Sequence, residues 1–558
     1  MSLIHQTLNA AWVGSLWPAS RRYFGGIPRA VGLQRELLLG ILEKNRDTVF
    51  GKAHGFGEIR DIGAFQRRVA PGDYDDFRPY IERIMAGEKN VLTAEAVRLL
   101  EPTGGSSSGK PKLIPYTASL QGEFIRGIAP WLTRVYRHYP GAFRDSSYWS
   151  VSPAGAEPQF SAGGIPIGFE DDSSYLGWKG RLAARVFAVP RNIRLVDNMA
   201  RFRYLSALFL LRSQSLSLIS VWNPAFLTLL LQTMEDFQEG LCREIYDGSA
   251  ASRLWENPGQ QGPAFPAMPE RSRQLSRLFS LPATERYPRI WPGLSLISCW
   301  MDGPARFHAD FLMRFFPGIP FQPKGLIATE GMVTLPHPLT HNGSLPAFTS
   351  HFLEFLTEDG SPRLLHELEP GRTYEVLLTT GGGLYRYRLG DRVTVSGYWR
   401  GLPLLQFRGR DKVSDLVGEK LTELHVQEAI ETTLQKNHLQ ATFAMLAPQL
   451  AHHGGRYILF LEADSPSQNL LSGVQVSLEG ALLKNFHYRY ARELHQLQPL
   501  QIFLIRHNGL QTYQNRSWEG GQKPGDLKPA FLDCRSGWET YFEGDFCPEW
   551  QGEGAKNE

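Results

Sequence analysis
The ten residues Thr103-Gly104-Gly105-Ser106-Ser107-Ser108-Gly109-Lys110-Pro111-Lys112 constrain this chain more than any other stretch. Three glycines let the backbone aim its amides at a bound group, Thr103, Ser106, Ser107 and Ser108 add hydroxyl donors, and Lys110 and Lys112 bring positive charge. That is the chemistry of a loop that holds phosphate. The spacing satisfies Gly-x-x-x-x-Gly-Lys, but the next residue is Pro111, which offers neither a hydroxyl for Mg²⁺ nor an N–H for a phosphate nest. The loop therefore reads as phosphate-binding without being that of a P-loop NTPase. A Gly/Ser linker has a similar composition. The embedded lysines, the apolar pair Leu113-Ile114, Pro115 and a helical segment expected from Thr117 to Tyr139 favour the anion-binding reading.

The chain's 558 residues exceed one ordinary core, so two or more domains are expected. Apolar residues at 42% and charged residues at 21% are the proportions of a globular protein, and a formal charge of +3 gives no bulk attraction to nucleic acid or an anionic membrane. Cys242, Cys299, Cys534 and Cys547 have neither disulfide-framework nor zinc-site spacing, which fits a reducing cytoplasmic setting. The opening Met1-Ser2-Leu3-Ile4-His5 has no basic segment leading into an apolar run, so no signal peptide is expected. The most apolar region, Leu205 to Leu231, is broken by Arg212, Asn223 and Pro224 and reads as buried helix and strand rather than a membrane span.

Along the chain, Leu33 to Asn45 has helical spacing, Gly51 to Gly57 reads as a polar turn, and Tyr74 to Ile84 has helical periodicity ending at Gly87. Strand-like Tyr148–Pro153, Leu216–Val221 and Leu294–Trp300 alternate with helical Pro224–Gly240 and Pro304–Phe316 before Phe321–Ala328 leads into Thr329-Glu330. This alternation predicts an α/β core with parallel strands. Glu256 to Pro269 reads as a loop, and His452-His453, lacking a spaced partner, as another.

Further on, Tyr374–Thr380 reads as a strand, Gly381-Gly382-Gly383 as a flexible turn, and Leu384–Leu389 as a strand that gives way at Gly390-Asp391 to Arg392–Tyr398. Asp391 is a turn former in the ordinary case; as a fixed carboxylate it could accept both hydroxyls of a ribose. Tyr385 and Tyr387, at period two, suggest one packed strand face. The charged, glycine-punctuated run Phe407–Lys412 suits a hinge, and helix Glu423–Lys436, strands Ala441–Leu446 and Tyr457–Ala463, helix Gly473–Gln496 and strand Leu500–Arg506 form a small α+β domain.

Taken together, Thr103 to Pro115, Ala328-Thr329-Glu330 and Gly383 to Asp391, with weaker echoes at Asn45–Gly51 and Gly418–Glu423, make the chain resemble the adenylate-forming superfamily. Within it, the chain is most similar to the Gretchen Hagen family of acyl acid amido synthetases. Two departures stand out: Gly104 replaces a usual serine, and Lys528-Pro529 lacks the arginine of the family's Lys-x-Pro-Arg element.

The resemblance implies an α/β protein with a large N-terminal adenylation domain, residues 1–410, and a smaller mobile α+β domain, residues 411–558. It implies ATP and Mg²⁺, with a small-molecule carboxylic acid and an amino acid or other amine as partners, and neither nucleic acid nor membrane. Thr103, Gly105, Ser106, Ser107, Ser108, Gly109 and Lys110 would hold the phosphates, and Thr329, Tyr385, Asp391 and Arg410 would complete the nucleotide site. Glu330 would hold the metal, Lys420 and Lys528 would be catalytic lysines, and Arg410-Asp411 would be the hinge. Trp149, Phe160, Ile165, Ile167, Tyr175 and Trp222 could line an acyl pocket, although aromatics in a chain this long are mostly core. An acyl-CoA ligase would share the first half-reaction, and a non-catalytic nucleotide- or carboxylate-binding protein is the other alternative.

Overall fold
The computed structural model describes residues 3–103, 112–150, 159–168, 186–190, 193, 196, 198–248, 265–303, 305–340, 342–410, 413–414, 416–417, 419–451, 454–519 and 530–548. Gly105, Ser106, Ser107, Ser108, Gly109, Lys110, Tyr175, His452, His453 and Lys528 lie outside them, as does most of the Glu256–Pro269 loop. The chain divides into two compact units, residues 1–302, 312–407 and 522–526, and residues 303–311, 408–521 and 527–558. The division after Phe407 falls just before the boundary expected at Arg410, and a short segment between two strands of the first unit groups with the second.

The first unit opens with helices. The expected Leu33–Asn45 helix is Ala30–Lys44, and Tyr74–Met85 ends before Gly87 as its periodicity predicts. Gly51–Gly57 is not a polar turn: Val49–Ala53 is a helix capped by the Thr48 hydroxyl, which accepts from Gly51 N–H at 2.9 Å, and Phe56–Glu58 is a 3-10 turn. Burial decides this, because the Phe50 ring stacks 4.8 Å from Tyr385 and 5.8 Å from Phe77.

β1 (Leu99–Thr103) and β2 (Lys112–Tyr116) form an antiparallel pair with Thr103 opposite Lys112. The helix Ala118–His138 follows, its N-cap Thr117 accepting from Leu120 N–H. β3 (Ser146–Trp149) comes next, and β4 (Gln159–Phe160) and β5 (Pro166–Ile167) extend the β1–β2 sheet. β6 (Leu216–Ser220), β7 (Leu296–Ser298) and β8 (Phe321–Gln322) join β3 in an all-parallel sheet of order β3-β6-β7-β8. Every residue of β6 and β7 is buried, as helix-covered parallel strands require.

β9 (Thr334–Leu335) and β10 (Leu345–Pro346) form a small ladder. β11 (Phe352–Leu356), β12 (Pro362–Arg363), β13 (Thr373–Thr379), β14 (Tyr387–Trp399) and β15 (Leu402–Arg410) make a five-stranded sheet of order β12-β11-β13-β14-β15. The alternating strand expected at Leu384–Leu389 does not form, because Arg386 is held at φ +48°. Nor does Gly390-Asp391 separate two strands: β14 runs through it with a bulge, in which Glu375 pairs with Arg392 and Leu377 with Arg388 while Gly390 takes φ +72°.

In the second unit, β16 (Val413–Ser414) pairs with β17 (Leu421–Thr422), and the helix Glu423–Lys436 follows as expected. β18 (Ala441–Ala451), β19 (Gly454–Ala463), β20 (Gln501–Ile505) and β21 (Gly544–Phe546) form a sheet in that order. Its core joins Val426, Ile430, Leu446, Leu461, Val474 and Leu478. The single helix expected from Gly473 to Gln496 is two, Gln468–Leu482 and Phe486–Glu493, because Asn485 starts a new N-cap by accepting from Tyr488 N–H.

Candidate active site
The base of the β1–β2 hairpin is clamped from three sides. Gly381, Gly382 and Gly383 are buried rather than flexible, and they are glycines because nothing larger fits: a Cβ on Gly381 would lie 2.6 Å from Ser119 Cβ, and one on Gly382 would lie 2.9 Å from the Pro115 carbonyl. The Thr117 hydroxyl donates to the Gly381 carbonyl at 2.8 Å. The buried Glu123 carboxylate accepts from Gly381 N–H at 2.9 and 3.0 Å and pairs with His351 Nδ1 at 3.0 Å. Lys112 Nζ lies 5.6 Å from the centre of the Tyr74 ring, whose hydroxyl accepts from Leu113 N–H.

Thr329 and Glu330 occupy the tip of a tight turn closed by reciprocal bonds between Ala328 and Gly331 at 2.9 and 3.2 Å. Two tyrosines fix this turn. Tyr116, at the end of β2, donates to the Thr329 carbonyl at 2.5 Å, and Tyr387, at the start of β14, directs its hydroxyl to Glu330 Oε1 at 3.4 Å. Burial, with the Glu330 carboxylate beside it, holds the Tyr387 phenol well above the usual tyrosine range, so it stays a donor. Tyr387 is set in place through Gly72, whose N–H donates to the Arg386 carbonyl at 3.2 Å and whose carbonyl accepts from Arg388 N–H at 2.8 Å. Asp391 follows in the bulge of β14, buried.

The structure thus ties Thr329, Glu330 and the Tyr116 end of the β1–β2 hairpin into one frame, with Asp391 farther along the strand that carries Tyr387. Tyr385 is a correction. Its side chain is fully buried, it stacks on Phe50 and it donates to the Leu92 carbonyl at 2.7 Å, so it packs the core and presents no surface to a nucleotide. Sequence reading missed Tyr116 and Glu123, and took Tyr387 only as packing. The one signal was position, each lying within a few residues of a glycine or proline that closes the frame. A cleft of about 320 Å³ lined by Lys44, Ser119, Glu123 and Arg126 touches the outside of this clamp but includes neither Glu330 nor Asp391.

In the second unit, Arg410 ends β15. Lys420 is exposed and held at φ +45°, a conformation that costs a non-glycine residue of order 1–3 kcal/mol. Its neighbours impose it. Leu421 is fully buried, and the fully buried Glu419 accepts from Leu416 N–H at 2.7 Å, from Val417 N–H at 2.8 Å and from the Tyr457 hydroxyl.

A helix-covered parallel sheet, a second sheet whose β1–β2 hairpin is clamped by glycines, an acidic turn and a separate α+β unit together make the architecture of an adenylate-forming enzyme of the GH3 type. The chain belongs to the GH3 family: it matches that family's N-terminal domain over residues 28–321, its central domain over 344–410 and its C-terminal domain over 424–533. It is similar to a probable indole-3-acetic acid-amido synthetase, GH3.7, of Oryza sativa subsp. japonica, with 26% identity over 86% of each chain. It is also similar to a jasmonoyl–L-amino acid synthetase, GH3.5, of the same organism, with 24% identity over 86% of this chain and 88% of the relative. The solved structure of the AtGH3.15 acyl acid amido synthetase in complex with 2,4-DB superposes with a TM-score of 0.82, at 20% identity, over 98% of this chain and 99% of that one.

Proposed function
We propose that this protein is an ATP-dependent acyl acid amido synthetase. An oxygen of a carboxylic acid attacks the α-phosphorus of ATP, the bond to the leaving pyrophosphate breaks, and acyl-AMP forms. The nitrogen of an amino acid or other amine then attacks the acyl carbon, AMP departs and a proton is released. The observation that carries this reading is the Thr329–Glu330 turn bound by Tyr116 to the end of β2 and by Tyr387 to the start of β14, in a chain of GH3 family architecture.

Chemistry of this kind depends on positioning and charge neutralisation. Thr103 and residues 104–110 are assigned to the β- and γ-phosphates, Asp391 to the ribose hydroxyls, and Lys420 to the α-phosphate as charge builds on it. Arg410 is assigned to the nucleotide and hinge, and Lys528, outside the described residues, is assigned as a second catalytic lysine. Glu330 suits Mg²⁺, which takes one or two carboxylates together with phosphate oxygens and water. Among the described residues no cluster of three or more His, Cys, Asp or Glu could hold a cation alone, so the donor set fits an ion shared with a nucleotide. When bound, the ion neutralises phosphate charge. Glu330 would hold it, with the Tyr387 hydroxyl orienting that carboxylate.

The test is acid-dependent ATP–pyrophosphate exchange across a panel of carboxylic acids, followed by product analysis with amino acids or with coenzyme A. Exchange with at least one acid and amide formation are expected. Thioester formation instead of amide would establish the ligase alternative, and a panel with no exchange at all would favour a non-catalytic binding protein. Within that assay, Asp391→Ala should raise the ATP dissociation constant about tenfold or more, the worth of one or two charge-assisted hydrogen bonds. Titration calorimetry checks this, and an unaltered constant removes Asp391 from the ribose.

A further inference from the structure
Lys324 follows β8 and is 3% exposed. Its Nζ lies 5.0 Å from the centre of the Trp222 ring, 5.2 Å from Trp131 and 5.6 Å from Trp149, and it donates to Ser220 Oγ at 2.7 Å. An ammonium has three N–H donors. Among the described residues no carboxylate pairs with this one. The parallel sheet supplies what surrounds it, for Trp149, Ser220, Ser298 and Gln322 stand in register across the C-terminal ends of β3, β6, β7 and β8. Ser298 is also 3% exposed, and its Oγ finds no hydrogen-bond partner among the described residues; nor does Trp131 Nε1. A buried cation without a counter-ion, next to buried donors without acceptors, is a poor way to stabilise a core. It is a good way to receive an anion, and the C-terminal ends of parallel strands are where open α/β sheets bind ligands.

We propose that Lys324, Ser220 and Ser298 form the carboxylate-recognition site of this enzyme for its acyl acid, and that the three tryptophans select acids with a planar, aromatic body. The proposal rests on the acid-activating reading above. Flat rings stack on indole faces, and Trp222, which is 37% exposed, leaves that side of the cage open. Burial pushes the Lys324 ammonium down to about 7, and among the described residues the nearby Cys299 thiol is the titratable group that pulls it back up. Near neutral pH the amine is therefore partly unprotonated until an acid arrives. An entering carboxylate favours the ammonium, so acid binding takes up a proton.

The experiment uses the full chain, with phenylacetate and benzoate as probes against hexanoate. Calorimetry at pH 8 in two buffers of different ionisation enthalpy should show proton uptake on aryl acid binding, and Lys324→Met should abolish it. In pyrophosphate exchange, run without any amine, Lys324→Met should raise the acid KM by about tenfold or more, the worth of a charged hydrogen bond, while the ATP KM stays unchanged. Ser298→Ala, a smaller change, should move the acid KM in the same direction. An unchanged acid KM, absence of proton uptake in the natural protein, or no preference for aryl acids would overturn the proposal. An effect confined to the amine KM of the second step would also overturn it, assigning the cation to the amino acid's carboxylate. Aryl acid binding with proton uptake but no exchange would uphold the site while sinking the synthetase reading.

Discussion
Lys420→Ala is expected to reduce acid-dependent pyrophosphate exchange by two to three orders of magnitude, leaving the ATP dissociation constant within a few-fold. The size follows from removing one preorganised charge donor from a transition state in which charge builds on phosphate, typically about 10²–10³ in rate. The local structure sets this lysine apart from the chain's others. Glu419 is anchored by two backbone amides and a tyrosine, Leu421 is sealed in the core, and the residue between them is forced to φ +45° with its side chain outward. Alanine gains nothing from that backbone, so the substitution removes the ammonium without relieving the strain, and the thermal midpoint should hardly move. Exchange at the natural rate in the variant would remove Lys420 from the mechanism.

Strand–helix alternation was legible because the two central parallel strands are short runs rich in Leu and Ile, and Leu216 to Ser220 needs no partner sequence to be recognised. Glu330 stood out only within the Ala328-Thr329-Glu330 motif, since a carboxylate after a strand is by itself an ordinary surface residue. Other features depend on what lies across from them. Gly390-Asp391 has the composition of a turn, and only pairing with Glu375 and Leu377 makes it a bulge. Gly381 to Gly383 has the composition of a flexible joint, and only the approach of Ser119 and Pro115 makes it rigid. Lys324 is the extreme case. Its cage comes from the helix Ala118–His138, the end of β3 and the residues after β6, so no spacing in the chain announces it.

The second large effect concerns stability. Arg386 is 3% exposed and donates to Glu354 Oε2 at 3.1 Å and to the carbonyls of Gln66 and Val69 at 3.1 and 2.8 Å. Glu354 is 1% exposed, and burial raises its carboxyl above the ordinary range despite the pull of Arg386. Arg386→Met should therefore cost about 3–5 kcal/mol, the usual result of removing one partner of a buried pair. The sign of its pH dependence is fixed. Without the guanidinium, the folded-state value for Glu354 rises further above its unfolded value, so the variant's residual stability is fullest at low pH and declines as pH rises through the folded value. The deficit in thermal midpoint should thus be larger at pH 8 than at pH 5, and Glu354→Gln in the same chain should recover much of it. A deficit independent of pH would mean that the lost bonds to Gln66 and Val69 dominate instead. Activity should fall with stability in this variant, because the side-chain bonds of Arg386 to Glu354, Gln66 and Val69 brace the backbone whose N–H donates to the Thr379 hydroxyl at 2.9 Å and whose carbonyl accepts from Gly72, next to Tyr387 at Glu330. The double variant, with its carboxylate neutralised, should then regain pyrophosphate exchange only as far as that backbone arrangement is restored.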